Sequence, residues 1–357
     1  MPSFISSTPR ALLFAVMLLL AHSALGENAF IDPLDQPAAV ERQLSQKPLR
    51  DIARAGKRLV AVGSNGLIIF SDDQGQSWVQ APVPVSVDLN AVFFADATQG
   101  WAVGHGATIL HSSDAGATWT KQLDGRALQA LFVDYFNNRS GLAQESANSY
   151  LSAILDMTRP GTGQFFMGVW FDRAGNGFVV GPFGLLLGSG DGGKSWQPWN
   201  TRIDNNDLLH LTSIREVAGT LLVTGERGRV WRLDPATKRF ESSETGYQGT
   251  LFGVTGVPGG LLAFGLRGHV FRSTDAGHSW TSVKSEFNAG ITAGIALDNQ
   301  RLVLVSQSAQ AGISRDGGLS FNLLDVQQPS LFTGVIGLAG ERIALVGLNG
   351  VTIMAAN

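Results

Sequence analysis

The sequence predicts an all-β fold, a seven-bladed β-propeller of four-stranded blades with a helical hairpin inserted between blades 2 and 3. A short box recurs five times: SDDQGQSW (71–78), SSDAGATW (112–119), SGDGGKSW (189–196), STDAGHSW (273–280) and SRDGGLSF (314–321). Each box follows an apolar segment broken by a turn at constant offset. The copies are AVGSNGLIIFS (61–71), AVGHGATILHS (102–112), VVGPFGLLLGS (179–189), VTGERGRVWRL (223–233), AFGLRGHVFRS (263–273), LVSQSAQAGIS (304–314) and LVGLNGVTIMA (345–355). Their anchors Gly63, Gly104, Gly181, Gly225, Gly265, Ser306 and Gly347 are 41, 77, 44, 40, 41 and 41 residues apart. A period of that size built from β-type segments is the mark of a propeller or array.

Four strands per unit follow from the alternation of apolar runs and turns. In the fifth unit TLFGVTGV (250–257) is the inner strand, GLLAFG (260–265) the second, HVFRS (269–273) the third and SWTSV (279–283) the outermost. Glycine-rich links such as Ser64-Asn65-Gly66 and Leu348-Asn349-Gly350 accept the positive φ angles of tight hairpins. The last unit stops where its box would begin, at Asn357. Residues 27–47 are therefore expected to close the last blade, with PAAVERQL (37–44) supplying its fourth strand and hiding two sheet edges. The propeller itself spans 48–357.

The 77-residue spacing is the one break in the pattern. Residues 125–164 carry helical spacing at Leu128, Leu131, Phe132, Tyr135 and Phe136. After the turn NNRSG (137–141), a second face follows at Ala147, Tyr150, Leu151, Ile154 and Leu155, stopped by Pro160. This reads as a helical hairpin; a degenerate eighth blade is the alternative.

Composition narrows the class. The chain has 357 residues, 44% hydrophobic and 15% charged, with 44 glycines, as suits a turn-rich β body. A net charge of −3 provides no global field toward nucleic acid or an anionic membrane. The absence of cysteine excludes disulfides, thiolate metal sites and cysteine nucleophiles. Residues 1–26 read as a secretory signal peptide: Arg10, the apolar run ALLFAVMLLLA (11–21), and Ala24 and Gly26 before a cut that leaves Glu27 first. The alternative is a retained anchor, although the run is shorter than the about 20 residues a spanning helix needs. Export without disulfides fits a periplasm.

The boxes read as structural staples. Ser71, Asp73, Gly75 and Trp78 recur as Ser112, Asp114, Gly116 and Trp119, then as Ser189, Asp191, Gly193 and Trp196. They return as Ser273, Asp275, Gly277 and Trp280, and as Ser314, Asp316, Gly318 and Phe321. The acid can hold the turn by accepting backbone N–H groups, the glycine can turn left-handed, and the aromatic can pack between sheets. Five copies around a ring cannot all serve one active site.

This S-x-D-x-G-x-[ST]-W pattern resembles the Asp-box, or BNR, repeats of sialidases and related propellers. The chain is most similar to the photosystem II stability/assembly factor-like family of seven-bladed propellers. That resemblance is carried by VGSNGLIIFSDDQGQSW (62–78), GWAVGHGATILHSSDAGATW (100–119) and VWFDRAGNGFVVGPFGLLLGSGDGGKSW (169–196). It implies a non-enzymatic scaffold or chaperone for assembling membrane complexes; exported bacterial relatives are associated with exporters of the resistance-nodulation-division type. The long insert departs from the family pattern.

Enzymatic chemistry finds little support in the residues. A sialidase needs an arginine triad and a Tyr/Glu nucleophile pair, but the only tyrosines are Tyr135, Tyr150 and Tyr247, two of them in the insert. Glu244 near Tyr247 is a weak pair at a blade edge. The histidines beyond residue 26, His105, His111, His210, His269 and His278, are scattered without ligand spacing, so no metal and no cofactor is expected. A carbohydrate-binding or sialidase-like propeller remains the alternative function. Binding is expected on the face of the anchored turns, which offer Arg227, Arg267, Phe183, His105, Leu266 and Leu348, with Glu226 beside them. Arginines 227 and 267 fall on adjacent blades and suit carboxylate or carbonyl capture. The expected partner is a membrane protein or a subunit of a membrane complex.

Overall fold

The structure, a computed structural model, describes residues 30–138, 151–152, 163–298 and 300–356. Residues 1–32 and 33–357 are two separate units, and the second holds every element discussed below. The expected signal peptide lies outside the described residues. Among those described, no helix is long and apolar enough to cross a membrane.

Seven antiparallel sheets follow one another along the chain. The first is β1 (Leu49–Ala55), β2 (Arg58–Gly63), β3 (Ile68–Ser71) and β4 (Val79–Gln80). The second is β5 (Leu89–Phe94), β6 (Gly100–Gly104), β7 (Ile109–Ser112) and β8 (Thr120–Leu123). Then come β9 (Gly168–Phe171), β10 (Gly177–Val180), β11 (Leu186–Ser189) and β12 (Gln197–Pro198). The fourth sheet holds β13 (Leu211–Val217), β14 (Thr220–Gly225), β15 (Arg229–Asp234) and β16 (Arg239–Glu244). The fifth holds β17 (Leu251–Val257), β18 (Gly260–Gly265), β19 (Val270–Ser273) and β20 (Thr281–Val283). The sixth holds β21 (Ile291–Ala296), β22 (Leu302–Ser306), β23 (Ala311–Ser314) and β24 (Asn322–Leu323). The last has three strands, β25 (Phe332–Gly337), β26 (Arg342–Gly347) and β27 (Gly350–Ala355). The first strand of each sheet packs on the first strand of the next, and β25 packs on β1, so the sheets form a closed propeller.

Apolar runs such as Leu59–Val62, Leu302–Val305 and Ile343–Val346 are fully buried. Second strands are sandwiched between neighbouring sheets, which is why they read as continuous apolar runs rather than as alternation.

The anchor glycines have a steric cause. Six of the seven inner strands shift register at their second residue, between Leu49/Asp51, Leu89/Ala91, Leu211/Ser213, Leu251/Gly253, Ile291/Ala293 and Phe332/Gly334. This bulge pushes the preceding carbonyl toward the end of the second strand. A Cβ on Gly104 would lie 2.0 Å from the Asp88 carbonyl oxygen, and one on Gly347 2.0 Å from that of Leu331. The next N–H in the chain takes up the carbonyl, as when His105 donates to Asp88 O at 2.8 Å.

One expectation is corrected. No fourth strand from residues 37–44 joins β27. The Leu44–Gln46 3-10 turn abuts β27 instead, with the Ser45 carbonyl so close that Gly350 has no room for a Cβ. Upstream, Ala38 N–H donates to Val83 O at 3.0 Å, and Gln80 Nε2 donates to Ala39 O at 2.7 Å. The segment is thus spent on the outer edge of the first sheet. The insert opens with helix α1 (Gly125–Asn138) between β8 and β9, as expected, residues 151–152 are helical as well, and no eighth sheet is present among the described residues. Most of the expected second helix lies outside the described residues. Asp124 starts α1, its carbonyl accepting from the Ala127 and Leu128 N–H groups and its carboxylate from that of Arg126. Leu128, Phe132 and Phe136 form a buried stripe against Trp101, Ile109, Phe166, Phe171 and Trp196, so the helix completes the core between two sheets.

Candidate functional site

The boxes prove to be closed structural loops. In the first, the Ser71 hydroxyl donates to Asp73 Oδ1 at 2.8 Å and accepts the Gly75 N–H at 2.8 Å. Asp73 then accepts the Ser77 N–H at 2.9 Å and its hydroxyl at 2.5 Å. The same bonds recur for Ser112/Asp114/Thr118, Ser189/Asp191/Ser195, Ser273/Asp275/Ser279 and Ser314/Asp316/Ser320. Each box glycine is left-handed: φ is 86° at Gly75, 82° at Gly116, 83° at Gly193, 89° at Gly277 and 84° at Gly318. These bonds all favour the charged carboxylate, and the Ser77 hydroxyl above all holds Asp73 down at about 2. Trp119, Trp196 and Phe321 are buried between sheets, whereas Trp78 and Trp280 are half-buried. The five aspartates Asp73, Asp114, Asp191, Asp275 and Asp316 are each consumed by their own turn.

At the other end of the strands, the bulges build a cavity. The bulged residue of each inner strand leaves the ladder, and such irregularities re-aim a side chain. Arg50, Asn90, Thr212, Phe252, Thr292 and Thr333 stand at the six bulges, Met167 at the equivalent place before β9, and all seven line a cavity of roughly 440 Å³ at the channel mouth. His105, Phe165 and Gln307 complete its wall, and His105 stacks on Phe165 at 5.1 Å. Burial pushes the His105 imidazole below its ordinary value, with Asp88 pulling the other way.

Several of these side chains also join neighbouring blades. Arg50 reaches Asp88 at 2.6 Å and Asn90 at 3.4 Å, and Asn90 Nδ2 donates to Phe166 O at 2.9 Å. The Thr212, Thr292 and Thr333 hydroxyls donate to Leu251 O, Phe332 O and Leu49 O at 2.6, 2.7 and 2.9 Å. Met167 and Phe252 add apolar surface.

Deeper in the channel a second space of roughly 140 Å³ holds Asp51 and Arg215. Asp51 accepts the Ile52 and Val92 N–H groups at 2.8 and 3.0 Å. Burial pushes its carboxyl up, and Arg215 pulls it partly back. Asp51 is the one carboxylate among the described residues that line this space. Among the described residues no carboxylate lines the mouth cavity. Among the described residues no group of three or more side chains could hold a metal ion.

Of the residues expected on this face, only His105 lines the cavity. Arg227 is ion-paired with Asp207 at 2.7 Å, so its charge is already matched. Arg267 lies close enough to Tyr247 to bias its phenol. The Leu266 carbonyl accepts the Tyr247 hydroxyl at 3.1 Å. Phe183, 47% exposed, rests on His210, and Leu348 is 54% exposed. The seven lining residues Arg50, Asn90, Met167, Thr212, Phe252, Thr292 and Thr333 were missed by the sequence reading, yet they had a signal: each sits 13 or 14 positions before its anchor.

No family model matches this sequence. It is 25% identical over 270 residues to a xyloglucanase of Paenibacillus sp, an alignment covering 62% of this chain and 24% of that protein. The chain therefore spans about a quarter of the length of that relative. Among solved structures, YCF48 bound to a D1 peptide matches with a TM-score of 0.63 at 16% identity, covering 90% of this chain and 99% of the other. YCF48 from Cyanidioschyzon merolae gives 0.61 at 16% identity over 89% and 97% of the two chains. A streptogramin B lyase gives 0.66 at 12% identity over 89% and 96%. The shared fold is the seven-bladed propeller.

Proposed function

We propose that this chain is a non-enzymatic binding scaffold whose channel mouth receives an exposed segment of a membrane-protein complex. The observation that carries this reading is the composition of the mouth. Polar side chains from several blades and apolar patches at Phe165, Met167 and Phe252 surround one space, with no carboxylate among its described lining residues. The Arg50 N–H groups not spent on Asp88 and Asn90 can meet a segment's carbonyls, the threonine oxygens can accept its N–H groups, and apolar walls facing its side chains complete a site suited to an extended peptide. A protein of similar fold, YCF48, has been solved bound to a D1 peptide. The finer proposal places the chain in the periplasm, with an exporter of the resistance-nodulation-division type as client.

The test is fluorescence anisotropy of the chain without residues 1–26 against labelled peptides tiling the periplasmic regions of such exporters. We expect one group of overlapping peptides to bind, and Phe252→Ala and Met167→Ala each to weaken it by about tenfold. No binding by any tile, or binding indifferent to both variants, would overturn the reading. A second reading, a glycan-binding or glycan-cleaving propeller, is supported by the likeness to a xyloglucanase. It predicts binding of xyloglucan oligosaccharides, or release of reducing ends from them, in place of peptide binding.

A further inference from the structure

The opposite end of the channel carries a second cavity, distinct from the mouth and independent of the reading above. It opens where β1, β21 and β25 run into their turns, and has a volume of roughly 320 Å³. Arg54, Arg301 and Arg342 line it from three consecutive blades, with Ile295, Leu297, Ile336 and Leu338 as walls and Glu341 at the edge.

The three arginines are not equivalent. Arg301 is compensated twice, by Asp298 at 2.7 Å and Glu341 at 3.0 Å. Arg54 has only a backbone partner, donating through its guanidinium to the Gly337 carbonyl. Arg342 donates through Nε to the Ala339 carbonyl at 3.3 Å. Among the described residues neither forms an ion pair. Arg54 is half-buried, and burial lowers its pKa with no carboxylate acting against that shift. Half-buried guanidiniums of one sign, held by backbone carbonyls alone, are costly unless an anion completes them. A guanidinium fork takes a planar carboxylate through two parallel bonds.

We propose that this cavity binds a small amphiphilic carboxylate, its oxygens shared between Arg54 and Arg342 and its apolar stem lying on Ile295, Leu297, Ile336 and Leu338. The apolar walls are what select the stem: a bare inorganic anion would satisfy the arginines and leave the partly exposed Ile295, Leu297 and Leu338 uncovered. Arg301, already neutralised, shapes the rim rather than supplying charge.

The experiment is an NMR titration of arginine Nε–H resonances in the chain without residues 1–26, with hexanoate, acetate and inorganic phosphate at constant ionic strength. Each buried methylene is worth about fourfold in affinity, so hexanoate is expected to bind at least about tenfold more tightly than acetate. The Arg54 and Arg342 resonances should shift together, while those of Arg126 stay still. Arg342→Gln, on a partly exposed side chain, is expected to weaken hexanoate about tenfold. Arg54→Gln should do the same if it folds. Hexanoate no tighter than acetate, phosphate at least as tight as hexanoate, or an Arg342→Gln variant with unchanged affinity would each overturn the proposal.

Discussion

Trp119 is 5% exposed and meets Phe94 edge to face at 6.1 Å, while its indole N–H donates to Gly116 O at 3.1 Å. Trp119→Ala removes both the packing and the bond, and should cost roughly 3–5 kcal/mol in equilibrium denaturant unfolding. The box carboxylates act at low pH. Asp73 is held at about 2 in the fold against an ordinary 3.8, so it is a depressed group. Its contribution is complete above about 4 and is lost as pH falls through about 2. Acid unfolding of Asp73→Asn should therefore be flatter than that of the unaltered chain between pH 4 and 2. An identical slope would detach the carboxylate from stability. The boxes were legible in the sequence because the bonds among their serine, aspartate and glycine that close each turn span no more than four residues. Six of the cavity residues, Arg50, Asn90, Thr212, Phe252, Thr292 and Thr333, were not, because a fixed offset marks their places while the register shift that turns them out is made between strands.

Elements show the same division between local and distant causes. The turn after each second strand is encoded locally, and the need for glycine at its anchor comes from a carbonyl some fifteen residues upstream, as with Asp88 and Gly104. Gly104→Ala should destabilise by roughly 1–3 kcal/mol in thermal or denaturant unfolding, through that contact and not through φ. At the sixth blade Ser306 fills the anchor position and is fully buried, its hydroxyl accepting from the Ser308 and Gln310 N–H groups at 3.3 Å. Helix α1 was legible from its periodicity, and its role becomes clear only with the sheets around it. Phe132 is 0% exposed in a cluster shared with Trp101 and Phe171. Phe132→Ala should cost roughly 3–5 kcal/mol by denaturant unfolding. A small effect would free the helix from the core.

The whole molecule depends on closure between β25 and β1. Residues 37–44, expected as a closing strand, are instead spent on the first sheet, and closure falls to inner-strand packing and to side chains such as Thr333. Sequence pattern supplied the number of blades, but the choice of partner for a lone segment is decided by which edges remain open once all blades are formed. Thr333→Val should cost about 1 kcal/mol. With no shared partner, it should add to Trp119→Ala within about 0.5 kcal/mol in a double-mutant cycle. The bulged residues carry two duties at once, as seam and as socket. Arg50, Asn90, Thr212, Thr292 and Thr333 cannot be exchanged to suit a new ligand without loosening the joint between two blades. Met167 and Phe252 make no side-chain bond across a joint, so divergence among relatives of this chain should concentrate at those two places, where changing what is recognised leaves the ring intact.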